Sequence, residues 1–458
     1  MNNIKINFSK QIEKIKPLHG MCCAPYVPNM GNNQDHIDKF FNEGTIPYCR
    51  LHDCNGGGLM GATHLVDTTS IFKDFSADET NSENYDFHHT DEYISAIEKT
   101  GCKTYYRLGV SIEWGSKKYT SLPPADFKKW ARICEHIIRH YNEGWANGFE
   151  FNIEYWEIWN EPENPGNCFG PSMWGGTREE FYELYRISSK YLKSCFPNIK
   201  IGGYGSCGFY TETRDISTLD KGFETFVPYF TDFLAMVKEN NCPLDFYSWH
   251  IYTGDEKELE AHAGFVRKTL DEYGFKETES HLNEWNIHSE GSGFAAKHTE
   301  EGASFNAAVL AMLSQTRYVD KAMYYCFSYT GMYNGLLNQN DKSIEKSWYP
   351  FVVYGRLYTL ANKVESQCDG DHIYAVGASD GDNAGAMISN YISNDEWCHI
   401  TLEGISADAQ INLYVISKEK NFEKCMSFTV KDNCDIKIPV PQRTVIYIEI
   451  LKIKKDDE

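Results

Sequence analysis

Short apolar segments alternate with amphipathic stretches along residues 17–362. The apolar segments are rich in β-branched and aromatic residues, which indicates buried strands, whereas the stretches between them repeat their apolar positions at helical spacing. The eight candidate strands begin at Leu18, Ile46, Cys102, Glu154, Lys200, Leu244, Ser280 and Ala322. Near-continuous apolar strands, each returning through a helix, predict an α/β fold with a parallel sheet covered by helices.

The predicted helices carry their own signals. Thr177 and Glu180 have the spacing of a capping box ahead of an apolar stripe over 181–192, and a second stripe covers 130–141. Repeated strand and helix units predict a closed (β/α)8 TIM barrel over residues 15–362, with every strand ending at the same face. The alternative, an open doubly wound sheet, requires a G-x-G-x-x-G turn after its first strand, and the sequence after Cys23 does not contain one.

After residue 362 the pattern changes to short segments of alternating apolar and polar residues, separated by turn signals. A period of two is typical of strands with one buried face, so residues 363–458 are predicted to form a C-terminal β-sandwich domain. Residues 1–14 alternate in the same way and precede the first barrel strand. They are candidates for an additional strand of the same sandwich.

The charge of the chain restricts its partners. Asp and Glu number 65 against 44 Lys and Arg, which gives a formal net charge of −21. This charge repels nucleic-acid phosphates and anionic membranes, so we expect neither nucleic acid nor membrane as a partner. The first residues contain no continuous apolar run that could be a secretory signal or a membrane-spanning helix, so the expected location is cytoplasmic. Whether the chain forms a homo-oligomer stays open.

The 15 cysteines are scattered, most of them as single residues inside apolar segments, and no C-x-x-C motif occurs. The histidines show no zinc spacing either. This distribution is typical of small buried hydrophobic residues in a reducing compartment. We therefore expect no metal and no cofactor.

Functional residues of a barrel of this type lie at the carboxyl ends of its strands. Glu161 ends the fourth predicted strand, where the following Pro162 restricts the turn, and Glu284 ends the seventh strand among apolar and aromatic neighbours. Strands four and seven lie on opposite sides of a closed barrel, so the two carboxylates are expected to face each other. Hydrolysis of a glycosidic bond requires such a pair, one to protonate the leaving oxygen and the other to attack the anomeric carbon.

The pair also predicts an electrostatic asymmetry. An ionised Glu284, together with partial burial against Trp156 and Trp159, is expected to raise the pKa of Glu161, so that it is protonated near neutral pH and serves as the acid. Two simpler interpretations stand beside this one. A single glutamate in a barrel is usually a surface or salt-bridged residue, and W-N-E-P is also a turn-forming sequence. Two glutamates at matching strand ends favour the catalytic interpretation.

The motifs around the two glutamates, W-N-E-P over 159–162 and N-E-W-N over 283–286, resemble those of the clan A glycoside hydrolases. Glycoside hydrolase family 39, which includes β-xylosidases and α-L-iduronidase, is the most similar because it joins a barrel to a β-sandwich. The resemblance covers nearly the whole chain. It implies a retaining double-displacement mechanism with Glu161 as the catalytic acid/base and Glu284 as the nucleophile.

The same resemblance implies roles for further residues. Asn160 corresponds to the asparagine that contacts the sugar 2-hydroxyl, and Arg50-Leu51-His52 resembles the family's R-x-H on strand two. His250 and Tyr252 resemble its histidine and tyrosine on strand six, although a core histidine is the simpler interpretation of His250 alone. Aromatic side chains at strand ends are suited to stack on a sugar ring. The candidates for such stacking are Trp114, Trp174, Tyr252 and Trp285.

Strand eight departs from the family pattern. It ends in Phe327-Ser328 followed by residues 329–333, which contain no acidic side chain, whereas the family's xylosidases have acidic residues there that bind the glycone. A glycone other than xylose, such as another pentose or galactose, is therefore left open. No pair of basic residues stands at the strand ends to bind a uronate, which disfavours an iduronidase-like specificity.

The sequence as a whole predicts a retaining exo-glycosidase, β-xylosidase-like, whose partner is an oligosaccharide or glycoside substrate. One alternative is an α-L-arabinofuranosidase of a related clan A family, which shares the chemistry. The other is a carbohydrate-binding protein that has the barrel without catalysis.

Overall fold

The computed structural model describes residues 1–23, 42–54, 65–113, 115–166, 173–287, 296–327, 335–337, 343–405 and 408–453. Within these ranges the chain forms a closed barrel of eight strands and a second sheet of nine strands. The barrel confirms the predicted (β/α)8 fold. No helix in the described ranges is both long and apolar enough to cross a membrane.

The first strand, β1 (Asn2–Lys14), belongs to the second sheet, and the next eight strands form the barrel. The barrel strands are β2 (Gly20–Cys22), β3 (Tyr48–Leu51), β4 (Lys103–Leu108), β5 (Tyr155–Ile158), β6 (Lys200–Ser206), β7 (Phe246–Tyr252), β8 (Glu279–Asn286) and β9 (Lys321–Tyr324). Each pairs in parallel with the next, and β9 closes on β2. All strand carboxyl ends therefore lie at one face.

Helices connect these strands and cover the barrel. They are α1 (Thr68–Ile71), α2 (His88–Lys99), α3 (Phe127–Glu143), α4 (Arg178–Cys195), α5 (Phe226–Glu239), α6 (Glu256–Tyr273), α7 (Glu300–Gln315) and α8 (Tyr349–Thr359). Short 3₁₀ helices lie at 82–84, 210–212, 216–218, 223–225 and 346–348. The longer helices bury one side against the barrel.

The predicted capping box is present at the start of α4. Thr177 Oγ1 accepts from the Glu180 N–H at 3.1 Å, and the Glu180 carboxylate accepts from the Thr177 N–H at 2.7 Å. Asp126 caps α3 through its carboxylate, and Gly144 ends that helix at a φ of 69°. Each cap satisfies backbone groups that have no partner inside the helix, which defines where the helix begins or ends.

The segment after residue 362 consists of strands, as predicted, and β1 joins them. They are β10 (Asn362–Cys368), β11 (Ile373–Ser379), β12 (Ala384–Asn390), β13 (Trp397–Glu403), β14 (Ala409–Ile416), β15 (Asn421–Val430), β16 (Cys434–Pro439) and β17 (Thr444–Lys452). The nine strands form one continuous sheet in the order β15-β14-β17-β12-β11-β10-β1-β13-β16. Strand β1 is antiparallel to β10 and parallel to β13, and its alternation places Ile4, Ile6 and Phe8 in the core of this sheet.

Helix α7 joins the barrel to the second sheet. It follows β8, the strand of Glu284, and it is buried from Gly302 to Ser314. Gln315 Nε2 donates to the Ala375 carbonyl oxygen at 2.9 Å, and Ser389 Oγ donates to the Ser304 carbonyl oxygen at 2.7 Å. The second sheet therefore covers the helix behind one of the two predicted catalytic strands.

Candidate active site

The two glutamates singled out by the sequence lie together at the carboxyl end of the barrel. Glu161 lies three residues after the last residue of β5, and Glu284 lies in β8, so they come from the fourth and seventh barrel strands. An oxygen of each carboxylate and a ring nitrogen of His250 all lie within 4.8 Å of one another. The structure therefore brings the predicted pair into one small cluster with a histidine.

A strained turn presents Glu161. Trp159 and Glu161 have φ angles of 73° and 43°, in the left-handed region that residues other than glycine seldom adopt. The Glu161 N–H donates to the carbonyl oxygens of Tyr204 and Gly205 at 3.0 Å each, and the buried Trp159 ring donates from Nε1 to the Met173 carbonyl oxygen at 2.7 Å. W-N-E-P is thus a turn, and these contacts fix the direction of its carboxylate.

Arg50 is the centre of the hydrogen-bond network. Its side chain is fully buried, and each of its nitrogens donates to a different acceptor. Nε lies 2.7 Å from Glu157 Oε2, Nη1 lies 2.6 Å from Glu284 Oε1, and Nη2 lies 2.6 Å from Asn160 Oδ1. Burial lowers the pKa of Arg50, but the Glu157 and Glu284 carboxylates more than offset this and raise it well above its usual value. The guanidinium therefore stays charged while it positions three side chains.

His250 connects the two glutamates. Its Nδ1 lies 2.7 Å from Glu161 Oε1 and 3.6 Å from Glu284 Oε2. Burial lowers the pKa of His250, but the nearby carboxylates of Glu284 and Glu161 raise it above its usual value. The imidazole therefore holds a proton more firmly than an ordinary histidine does.

The pKa of Glu161 is shifted in the opposite direction to that of His250. Burial raises it, but the hydrogen bond from His250, followed by those from the Asn164 and Cys207 side chains, lowers it below its usual value. The prediction of a raised pKa for Glu161 is therefore wrong. Repulsion from Glu284 would raise this pKa, but the His250 imidazole, 2.7 Å from Glu161 Oε1, favours the ionised carboxylate.

Tyr252 contacts the other glutamate. Its hydroxyl donates to Glu284 Oε2 at 2.6 Å, while Arg50 occupies Oε1. Glu284 is 4% exposed, so these two charge-assisted hydrogen bonds fix the carboxylate in an almost dry environment. The structure places the Tyr252 hydroxyl on the nucleophile candidate, and the substrate-binding role that the family resemblance implied for Tyr252 stays a prediction.

The oxygen and the nitrogen of the Asn160 side-chain amide differ in their contacts. Its Oδ1 accepts from Arg50, and its Nδ2 is buried without a hydrogen-bond partner in the parts of the chain that are described. Gly205 makes this packing possible at a φ of 63°, because a Cβ there would lie 2.9 Å from Asn160 Oδ1 and 3.2 Å from both Arg50 Nη2 and His250 Nε2. Glycine is required here for lack of space as well as for its backbone conformation.

Two further predicted binding residues, His52 and Trp285, are buried, and others lie outside the described ranges. His52 is buried, with Nε2 3.5 Å from Asp53 Oδ2. The ring of Trp285 is fully buried and packs against Tyr324. Binding of a sugar by Trp285 stays a prediction, which this burial does not favour. The residues that fall outside the described ranges are Trp114 and the strand-eight segment 328–333.

Trp174 is a core residue. It is 2% exposed, its ring centroid lies 5.0 Å from that of Trp159, and its Nε1 donates to the Thr177 carbonyl oxygen at 2.8 Å. Stacking of Trp174 on a sugar stays a prediction, which the burial of its ring does not favour. The ring packs against Trp159 in the turn that carries Glu161.

Sequence reasoning missed Glu157, which is fully buried and lies four residues before Glu161. Its Oε1 accepts from Ser248 Oγ at 2.6 Å and from Asn283 Nδ2 at 2.7 Å, and its Oε2 accepts from Arg50. A signal was available, because an ionisable residue in the otherwise apolar strand β5 requires a buried partner.

Glu163, just past the turn, was also missed. Its Oε1 accepts from Ser206 Oγ at 2.6 Å and from the Cys207 N–H at 2.8 Å, and its Oε2 has no partner in the described part of the chain. Burial raises the pKa of Glu163 to about 7. A second buried carboxyl group, whose pKa burial raises, therefore follows the turn that carries Glu161.

Among the described residues, Glu161, His250 and Glu284 form a group whose ligand atoms are close enough to hold a metal ion. Their oxygens already accept hydrogen bonds from Tyr252 and from the charged Arg50 guanidinium. A cation would have to displace these donors and sit against a positive charge. The arrangement is better suited to proton transfer and nucleophilic attack.

A closed parallel barrel with two neighbouring glutamates at the ends of its fourth and seventh strands has the fold and the site of a glycoside hydrolase. A family model described as glycosyl hydrolases family 39 matches residues 2–356. The chain belongs to glycosyl hydrolases family 39, which confirms the resemblance found in the sequence motifs.

Individual relatives are distant. A beta-xylosidase from Geobacillus stearothermophilus is 24% identical over 300 residues, which are 59% of this chain and 54% of the relative. The chain spans about half the length of the curated relatives it matches. A glucosidase structure from Croceicoccus marinus has a TM-score of 0.81 at 21% identity and covers 99% of both chains. A monomeric beta-xylosidase structure from Caulobacter crescentus has a TM-score of 0.70 at 14% identity, over 99% of this chain and 100% of that one. These structural likenesses support the fold.

Proposed function

We propose that the chain is a retaining exo-glycosidase that removes terminal glycosyl residues, with Glu284 as the nucleophile and Glu161 as the acid/base. The observation that carries this proposal is that one oxygen of Glu161 and one oxygen of Glu284 lie within 4.8 Å of each other. Retaining enzymes hold their carboxyl groups about 5–5.5 Å apart, whereas inverting enzymes keep about 6.5–9.5 Å for a water molecule. The short separation favours direct attack by a carboxylate.

In the first step of the proposed reaction, a Glu284 oxygen bonds to the anomeric carbon as the glycosidic bond breaks, and Glu161 gives a proton to the leaving oxygen. In the second step, Glu161 takes a proton from water, the water oxygen bonds to the anomeric carbon, and the bond to Glu284 breaks. The proton for the first step is available from His250, 2.7 Å from Glu161. The pair therefore acts as one acid with one proton.

Two observations support a neutral glycoside as the substrate. The buried Nδ2 of Asn160 can donate to a sugar hydroxyl, and the net charge of −21 disfavours an anionic ligand. The family and its beta-xylosidase relatives support a β-xylosidase-like substrate. Strand-eight residues 328–333 contain no acidic side chain, so another pentose or galactose is kept as an alternative glycone.

A panel of aryl glycosides tests the activity and the glycone. The panel contains the β-xyloside, β-galactoside, β-glucoside, β-fucoside, α-L-arabinopyranoside and α-L-arabinofuranoside. Hydrolysis of a pyranoside with net retention at the anomeric carbon, followed by NMR, supports the proposal. Preference for the arabinofuranoside makes the chain an arabinofuranosidase, and binding without hydrolysis of any substrate makes it a carbohydrate-binding protein.

The residue roles are tested by trapping. The 2-fluoro analogue of the best substrate accumulates a glycosyl-enzyme, and peptide mass spectrometry locates the label. Label on a residue other than Glu284 overturns the assignment of the nucleophile. Glu284→Ala should lose hydrolysis and keep ligand binding, whereas Glu161→Gln should keep glycosylation by substrates with activated leaving groups and recover turnover when azide replaces water.

A further inference from the structure

Glu157 connects the nucleophile candidate to the rest of the barrel without contacting the cleft itself. It is fully buried in β5, and its two oxygens accept three hydrogen bonds from β3, β7 and β8. The donors are Arg50, Ser248 and Asn283. A buried carboxylate with this many partners is fixed in position, since any movement would break charge-assisted hydrogen bonds in a dry interior.

The contact with Arg50 determines how that guanidinium is oriented. The guanidinium is a planar fork, so its Nε bond to Glu157 also sets the directions of the two remaining nitrogens. Those nitrogens donate to Glu284 and Asn160 at 2.6 Å each. Glu157 therefore acts on the nucleophile through the side chain that binds it.

Because Arg50 also contacts Glu157, its positive charge is shared between two carboxylates. Arg50 carries one positive charge, and it bridges two carboxylates whose side chains are 0% and 6% exposed. In a dry environment the loss of one carboxylate leaves the whole guanidinium charge to the other. A nucleophile that is bound more tightly by a cation is a weaker nucleophile.

On these observations we propose that Glu157 is a positioning residue, which holds Arg50 in place and shares its charge so that Glu284 stays oriented and reactive. This inference rests on the proposed function, because it assigns a role in the reaction of Glu284. Glu157 does not touch the reacting atoms, and the proposal concerns how the nucleophile is prepared before substrate binds.

Other titratable groups also face Glu284. They are Arg50 from β3, His250 and Tyr252 from β7, Glu161 after β5, Cys22 from β2, Cys207 after β6 and Tyr325 after β9. Arg50 is the member of this set that is hydrogen-bonded to Glu157, so a changed pH profile in the variant can be attributed to the charge on Arg50. Tyr105 also faces Glu157 inside the barrel.

The test is the variant Glu157→Gln, which removes the charge and keeps the shape. The new amide nitrogen can be accommodated, because Asn283 Oδ1 has no partner in the described residues and can accept from it after a turn of the Asn283 amide. The loss of a charged hydrogen bond is expected to lower kcat/KM about ten- to a hundredfold. The acid limb of the kcat/KM profile, which reports ionisation of the nucleophile, is expected to move about one pH unit lower.

The matched control is Glu279→Gln. Glu279 is a carboxylate at the opposite end of β8, paired with Lys321 at 2.8 Å, so the variant makes the same charge change in the same barrel. It is expected to lower the melting temperature and to leave the acid limb unmoved. An equal shift of the limb in both variants would overturn the proposal, since it would then reflect the net charge of the barrel.

A second variant keeps the proposal testable if Glu157→Gln does not fold. Glu157→Asp keeps the charge, but its shorter side chain cannot reach both Arg50 and Ser248, so kcat/KM is expected to fall while the acid limb stays in place. Wild-type kcat/KM in Glu157→Asp would overturn the positioning role.

Failure of the two proposals can be told apart. If the wild-type protein hydrolyses no glycoside, or the 2-fluoro label lies elsewhere than Glu284, the proposed function fails. If the wild type is active and labelled at Glu284, and Glu157→Gln keeps the wild-type kcat/KM and acid limb, only the role of Glu157 fails.

Discussion

His250 Nδ1 lies 2.7 Å from Glu161 Oε1, so an imidazole and the proposed acid/base carboxylate form one hydrogen-bonded pair. The pKa of the imidazole is raised and that of the carboxylate is lowered, which places the proton on His250 when the cleft is empty. The pair carries its proton below the raised pKa of His250 and loses it as the pH rises through that value.

The first prediction concerns the basic limb of the rate profile. In His250→Asn the proton has to reside on Glu161 alone, whose carboxyl loses a proton at lower pH than an imidazolium does. The basic limb of kcat/KM is therefore expected to move to lower pH, measured with an aryl glycoside whose leaving group needs acid assistance. The control is His262→Asn, a buried histidine elsewhere whose pKa burial lowers to about 4. A basic limb that stays at its wild-type position in His250→Asn would contradict the shared proton.

The second prediction is a change of stability with pH at Glu163. Its pKa is raised by burial to about 7, against about 4.5 for an unperturbed glutamate. Its contribution to stability is therefore fully present below about pH 4.5 and is lost as the pH rises through about 7. Glu163→Gln imitates the neutral acid and avoids this loss, which amounts to on the order of 3 kcal/mol at 1.36 kcal/mol per pKa unit.

Urea unfolding of the wild type and Glu163→Gln at several pH values measures this effect. The variant should be the more stable protein above pH 7, and the two should converge near pH 4.5. A difference that is constant over this range would show that the carboxyl group of Glu163 does not titrate as described.

The third prediction concerns the space at Gly205. Gly205→Ala would place a Cβ 2.9 Å from Asn160 Oδ1 and 3.2 Å from Arg50 Nη2, so the network must shift. A displacement of about 1 Å in a catalytic arrangement can cost on the order of a hundredfold in rate. Gly101→Ala is the control, because Gly101 has a φ of 78° and no atom within 4 Å of its Cβ position. It should lose some stability and retain kcat/KM; equal activity of the two variants would argue against crowding.

The fourth prediction isolates the hydroxyl of Tyr252. Tyr252→Phe removes a 2.6 Å hydrogen bond to Glu284 and is expected to lower kcat/KM about ten- to a hundredfold, since hydrogen bonds to charged groups contribute about 1.5–3 kcal/mol. Tyr141→Phe removes a comparable bond to Asp91, at 2.9 Å, away from the site. The control should lose stability alone, and rates should be compared under conditions where both variants are folded by circular dichroism.

The barrel could be predicted because its signal is local. Each strand is a short apolar run, and each helix has apolar residues that recur every three to four positions. The capping box of Thr177 and Glu180 is recognisable as a four-residue pattern. The positions of Glu161 and Glu284 followed in the same way, since both stand at the ends of such runs. Because all strands of a parallel barrel end at one face, counting the strands was enough to predict that the two glutamates lie at the same face.

What could not be predicted depends on register and on the direction of side chains. The partners of Glu157 come from β3, β7 and β8, and their contact is fixed by how far each strand is displaced along its neighbours. Whether an aromatic residue near a strand end faces the cleft or the core is decided the same way, so the sequence could not show that Trp174 is buried against Trp159. The pKa of Glu161 was misjudged because a 2.7 Å contact with His250 outweighs a more distant charge.

The position of β1 in the second sheet has a consequence for the order of events on the ribosome. This 13-residue strand pairs with β10 and β13, and its Lys14 contacts Asn362, 348 residues later in the chain. The strand leaves the exit tunnel before the barrel does, and it has no strand to pair with while the barrel is synthesised. The second sheet therefore cannot assemble until translation has passed residue 403, so the barrel has emerged in full before the sheet that covers α7 exists.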